Sequence, residues 1–136
     1  MKTNIAASPY PWLASLAFAL LWLGFYWRKG PRNYHVAAVC ASMAIDLCLV
    51  LVLEFTKDAV ATAISLSLNG FQQVHIFAST MAIVFYVPVF VLGWIRWKRP
   101  GSGIHLKEWH RRLGYCALFF RTIGFLFMFS IIGRTP

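Results

Sequence analysis

The sequence predicts an all-α integral membrane protein, an up-down bundle of four transmembrane helices with both termini on the non-cytoplasmic side. Three observations carry this. The chain is 60% hydrophobic and only 12% charged, a composition outside the soluble class. It contains four apolar runs, and each is near the ~20 residues needed to cross a bilayer as a helix. Its basic residues gather in two of the connecting segments, as the positive-inside bias requires. Residues 1–136 read as a single membrane domain.

The first span is expected over about 11–27 and closes on Tyr26-Trp27-Arg28-Lys29, an aromatic and basic interfacial anchor. A signal peptide would want more than Lys2 in front and a small-residue cleavage site behind. Gly30-Pro31-Arg32-Asn33 makes a tight turn that folds spans one and two into an antiparallel hairpin. The second span covers about 35–55. The outer segment 56–73 carries Thr56, Lys57 and Asp58, then an apolar stretch with room for a short surface helix, and ends in the turn pair Asn69-Gly70. The third span covers about 74–95 and is broken by Arg99-Pro100-Gly101-Ser102-Gly103. The chain re-enters through Leu106-Lys107-Glu108-Trp109-His110, read as an interfacial helical turn, into a fourth span over about 113–132.

Orientation follows from charge. The segments joining spans one to two and three to four hold Arg28, Lys29, Arg32, Arg96, Lys98, Arg99, Lys107, Arg111 and Arg112. The other side has Lys2, Lys57 and Arg134, and Arg121 is left inside the membrane. Spans two and four therefore run parallel, from the cytoplasmic side outward. The net charge of +9 is this topology signal and does not point to nucleic acid. Lys107, Arg111 and Arg112 are also placed to meet anionic lipid headgroups, at ~1 kcal/mol per residue near the surface.

Spans two and four share one layout. His35 is followed eleven residues later by Asp46, and His110 eleven later by Arg121. Eleven residues is three helical turns with about 20° of drift, so each His and its partner lie on one face, roughly 16 Å apart. If the two helices touch, the histidines face each other near one membrane surface and the acid meets the base deeper in. An intramembrane Arg costs ~2.5–3.5 kcal/mol on insertion scales and must face a partner; Asp46 is the acid at matching depth. The pair is either a lock between two spans, or a proton path or counter-charge for a bound anion such as a haem propionate.

Neutral imidazoles from facing helices are the usual axial ligands of b-type haem in a bundle. His35 and His110 are accordingly candidate haem ligands. Gly114, one turn after His110, leaves room for a flat macrocycle or for close helix packing. His105 ranks below His110, because Pro100 to Gly103 leaves its position loose. Glu54 and His75, with Gln72 or Gln73, form a weaker second candidate at the outer end.

Copper is disfavoured. Cys40, Cys48 and Cys116 have no CxxC spacing, and helical angles set Cys40 about 140° from His35 and Cys116 about 240° from His110. Nucleotide loops, Ser-His-Asp sets and zinc-protease motifs are missing from the sequence. Enzyme activity is not expected, because almost no extramembrane mass exists to build a substrate pocket. The aromatics of span four, among them Phe119, Phe120, Phe125, Phe127 and Phe129, read as lipid-facing or packing residues.

His35 opening span two, Gln72-Gln73-Val74-His75 opening span three, Pro88 within it and His110-Arg111-Arg112 opening span four form a pattern. From His35 onward it resembles a small bacterial family of four-helix membrane proteins linked to maturation of haem-copper terminal oxidases. The likeness covers about 100 of the 136 residues. It departs at Leu53-Glu54-Phe55-Thr56, where another His would stand. His110-x-x-Leu113-Gly114-Tyr115 is also similar to the haem-bearing helices of small b-type membrane cytochromes. The resemblance implies a multi-pass protein of the bacterial inner membrane that works in haem-copper oxidase biogenesis, holding or passing haem b or a related haem near the cytoplasmic side. A b-type electron carrier and a cofactor-free accessory subunit of a larger respiratory or other membrane complex stay open beside it.

Overall fold

The computed structural model describes residues 8–57, 61 and 69–132. It contains four long helices, α1 (Tyr10–Tyr26), α2 (Arg32–Lys57), α3 (Gly70–Lys98) and α4 (Ile104–Ile132), with a short 3-10 turn, Trp27–Lys29, between the first two. All four are long and apolar enough to cross a membrane, as in a multi-pass membrane protein. Large apolar side chains such as Phe55, Val87 and Phe119 point out of the bundle. The expected outer surface helix falls, Ala61 apart, outside the described residues.

Local chemistry sets the helix ends. Pro9 precedes α1 and Pro11 sits in its first turn, where a missing N–H does no harm. The Pro31 carbonyl accepts from the N–H groups of Tyr34 and His35, which starts α2 directly after the turn. Asn69 and Gln72 form a capping box on α3, with the Asn69 N–H donating to Gln72 Oε1 at 3.1 Å. Pro88 lies inside α3 and removes one rung of its ladder.

Helix bounds run beyond the spans read from the sequence, most of all in two helices. Helix α4 begins at Ile104, nine residues ahead of the expected span, so Leu106–His110 is continuous with it. Helix α3 begins four residues early, at Gly70. Charged and polar first turns lower hydropathy without stopping a helix, so a span can be shorter than the helix that carries it.

Packing is closest within two hairpins, α1–α2 and α3–α4. At Gly24 a Cβ would come within 2.6 Å of Val39 Cγ2 and 3.2 Å of the Val39 backbone nitrogen. At Gly124 it would come within 2.7 Å of Ser79 Oγ and 3.3 Å of the Ser79 nitrogen. These glycines let the helices of each hairpin approach, and buried Ala17, Ala38, Ala78 and Ala82 extend the same small-residue seams.

The hairpins meet along α1–α4 and α2–α3. Phe18 stacks on Phe125 at 4.1 Å, and Met43, Tyr86, Val89 and Ala117 form a buried cluster. Helices α2 and α4 therefore stand at opposite corners of the bundle. The direct contact anticipated between them is replaced by side chains reaching across the axis.

Candidate functional site

Halfway along the bundle the four helices send polar groups to one level. Arg121 of α4 grips Asp46 of α2 with two parallel bonds, Nε to Oδ2 and Nη2 to Oδ1, both 2.8 Å. The Tyr86 hydroxyl of α3 donates to Asp46 Oδ2 at 2.7 Å. Arg121 Nη2 also reaches the Ala14 carbonyl of α1 at 3.3 Å. Asp46, Tyr86 and Arg121 are all buried. One turn before Asp46, fully buried Ser42 donates to the Ala17 carbonyl at 2.7 Å. The fork geometry explains why an Arg rather than a Lys stands here: its planar donors match both carboxylate oxygens.

Between this plate and the end formed by the two short connections, the opposite corners α2 and α4 leave a cavity of about 810 Å³. Such a volume is within the ~300–1,000 Å³ usual for small-molecule and cofactor sites. His35 and His110 both line it, from opposite corners. Gly114 lines it too, and a Cβ there would meet nothing within 4 Å. Close helix packing is thus not what this glycine serves; it faces open space.

The ring orientation of each histidine is fixed from behind. His35 Nδ1 lies 2.7 Å from the Gly24 carbonyl, and His110 Nδ1 lies 3.1 Å from the Val89 carbonyl. A carbonyl only accepts, so Nδ1 carries the proton and Nε2 of the neutral ring keeps its lone pair. Gly24 is among the last residues of α1, where carbonyls lack partners in their own helix. Gly93 makes room for the second ring, since a Cβ there would come within 3.1 Å of His110 Cε1. A ligand histidine whose other nitrogen donates to a carbonyl is the ordinary arrangement at metal and haem sites.

No protein-family model, curated protein or solved structure matches this chain.

The other sequence candidates fall elsewhere. His75 Nδ1 bonds the Gly124 carbonyl at 2.6 Å, away from the cavity. Among the described residues no three His, Cys, Asp or Glu gather closely enough to hold a metal ion, so Glu54 and His75 are not joined in such a group. Gln72 is engaged in the α3 cap. His105 lines a separate, smaller pocket of about 160 Å³ with Glu108, Trp109 and Arg112.

The separation of Cys40 from His35 needs correction, because Cys40 and Met43 line the same cavity as both histidines. The helical angle was right, but a cavity this wide takes in a broad arc of α2. Tyr86 went unnoticed in the sequence among many aromatics. Its signal was the only tyrosine of an apolar span, placed near the middle at the depth of Asp46.

Proposed function

We propose that this is a haem-holding protein of the bacterial inner membrane that serves respiratory haem-copper oxidase biogenesis. Its basic end would face the cytoplasm, and its cavity would bind haem b or a related haem between His35 and His110 and pass it on. One observation carries the reading: two histidines from opposite corners face one cofactor-sized cavity, each with Nδ1 bonded to a backbone carbonyl and Nε2 left as the ligating nitrogen. The bound iron would supply redox and axial-ligand chemistry. The chain's own residues hold and orient. Gly114 and Gly93 keep the space clear, Val39, Val89 and Leu118 supply apolar walls, and the polar plate closes the floor through Tyr86.

A b-type electron carrier fits less well if it is to move electrons across the membrane, because that would need a second haem towards the far end. Of the four histidines, His75 alone is placed there. The plate favours a different second reading, a cofactor-free accessory subunit, since a rigid four-helix lock is what such a subunit requires. Deletion of the gene separates them. On the haem reading, membranes lose oxidase haem while the oxidase polypeptides persist. Wild-type protein restores the haem, and His35→Ala or His110→Ala protein does not. Full rescue by both variants would contradict it.

A further inference from the structure

The residues that line the cavity include Arg28, Lys29, Arg32, Arg96, Lys107 and Arg111, and no Asp or Glu lines it among the described residues. The nearest acid on α4, Glu108, pairs with Arg112 at 2.7 Å in the i,i+4 manner and lines the separate smaller pocket. These six cations belong to the helix ends and connections of the basic end. The inner part is apolar, with Leu21, Val39, Met43, Ala117 and Leu118. Further in, the one cation among the described residues, Arg121, is already matched by Asp46. The cavity is therefore a polarised slot, apolar inside and cationic only at its mouth.

Arg32 shows how the mouth is held. Its Nη2 donates to the Arg96 carbonyl at 2.6 Å, and its guanidinium lies 4.6 Å over the Trp97 ring. That carbonyl is in the last turn of α3 and lacks a helical partner. The contact ties α2 to α3 and keeps a charged group at the mouth, clustered with other cations that repel it.

Building on the haem reading, we propose that the mouth recognises the carboxylates of a porphyrin, so that the ligand lies anionic edge outward with its apolar body towards Tyr86. Charge-assisted bonds to carboxylates are the strong class of hydrogen bond, and Arg presents its donors in pairs. A neutral flat ligand would gain nothing from these groups. The proposal also removes Arg121 as the counter-charge for such an anion.

The test is a titration of the full-length protein in detergent with ferric haem and with ferric haem dimethyl ester, read by the Soret band that depends on His35 and His110. The free acid is expected to bind roughly tenfold tighter or more, one charge-assisted contact sufficing for that margin. In an Arg32→Gln, Arg111→Gln protein the margin should shrink to about threefold or less. Equal affinity of wild type for acid and ester, with the histidine-dependent band intact, would overturn the carboxylate proposal and leave the haem site standing. A folded protein that gives no histidine-dependent band with either porphyrin would overturn the haem reading and this proposal with it.

Discussion

The middle of the bundle and its basic end are built from the same four helices, yet they treat polar groups in opposite ways. In the middle, Asp46, Tyr86 and Arg121 are buried and turned on one another, with Ala14 supplying a carbonyl. At the basic end, His35 and His110 use one nitrogen each on a carbonyl and turn the rest of the ring to a cavity. A closed network of that kind fixes a fold, whereas rings with one nitrogen turned to a cavity are what the proposed haem site requires. On the proposed function the plate holds the fold and the cavity is the binding site.

The hardest blow to the plate is Asp46→Ala, which leaves Arg121 buried and unpaired. Breaking one side of a buried pair costs about 3–5 kcal/mol. A large drop in thermal unfolding temperature in detergent is the expected readout. Exchanging the charges, Asp46 to Arg with Arg121 to Asp, should recover much of the loss; no recovery would count against the contact. Next comes the hairpin seam. Gly24→Ala drives a methyl into Val39, with its backbone nitrogen at 3.2 Å, and overpacking of this kind costs about 1–3 kcal/mol. The same unfolding assay measures it, and His35 should also lose its carbonyl partner.

Gly114→Leu sharpens the comparison from the other side. Open space surrounds that position, so unfolding should shift little, while haem affinity falls by roughly tenfold or more, about 1.4 kcal/mol. A destabilised protein that still bound haem would reverse the roles assigned to the two regions. The smallest effect belongs to the exposed pair Glu108 and Arg112. Arg112→Ala should change stability by about 0.5 kcal/mol or less, below the scatter of most detergent unfolding curves.

The sequence made the helices legible because apolar length is a direct physical requirement of the bilayer. Their ends were less so, since Lys107, Glu108 and Arg111 mask a helix that runs on past its apolar part. The plate was half legible. The eleven-residue spacing aligned Asp46 and Arg121, but a spacing within one helix says nothing of what a third helix contributes, so Tyr86 and the Ala14 carbonyl were missed. The cavity was the least legible feature. Placing α2 and α4 at opposite corners depends on which glycine seams pair the other helices, Gly24 with Val39 and Gly124 with Ser79. That arrangement opens the space and brings in Cys40 and Met43.

On the proposed function, His35 and His110 hold haem in the basic-end cavity. The most direct test is a reduced-minus-oxidised visible spectrum of protein purified in mild detergent after expression with ample haem, with a haemochrome assay for stoichiometry. A Soret band and a sharp alpha band are expected in wild type, both lost in His35→Ala and in His110→Ala. A colourless protein that is fully folded would contradict the proposal.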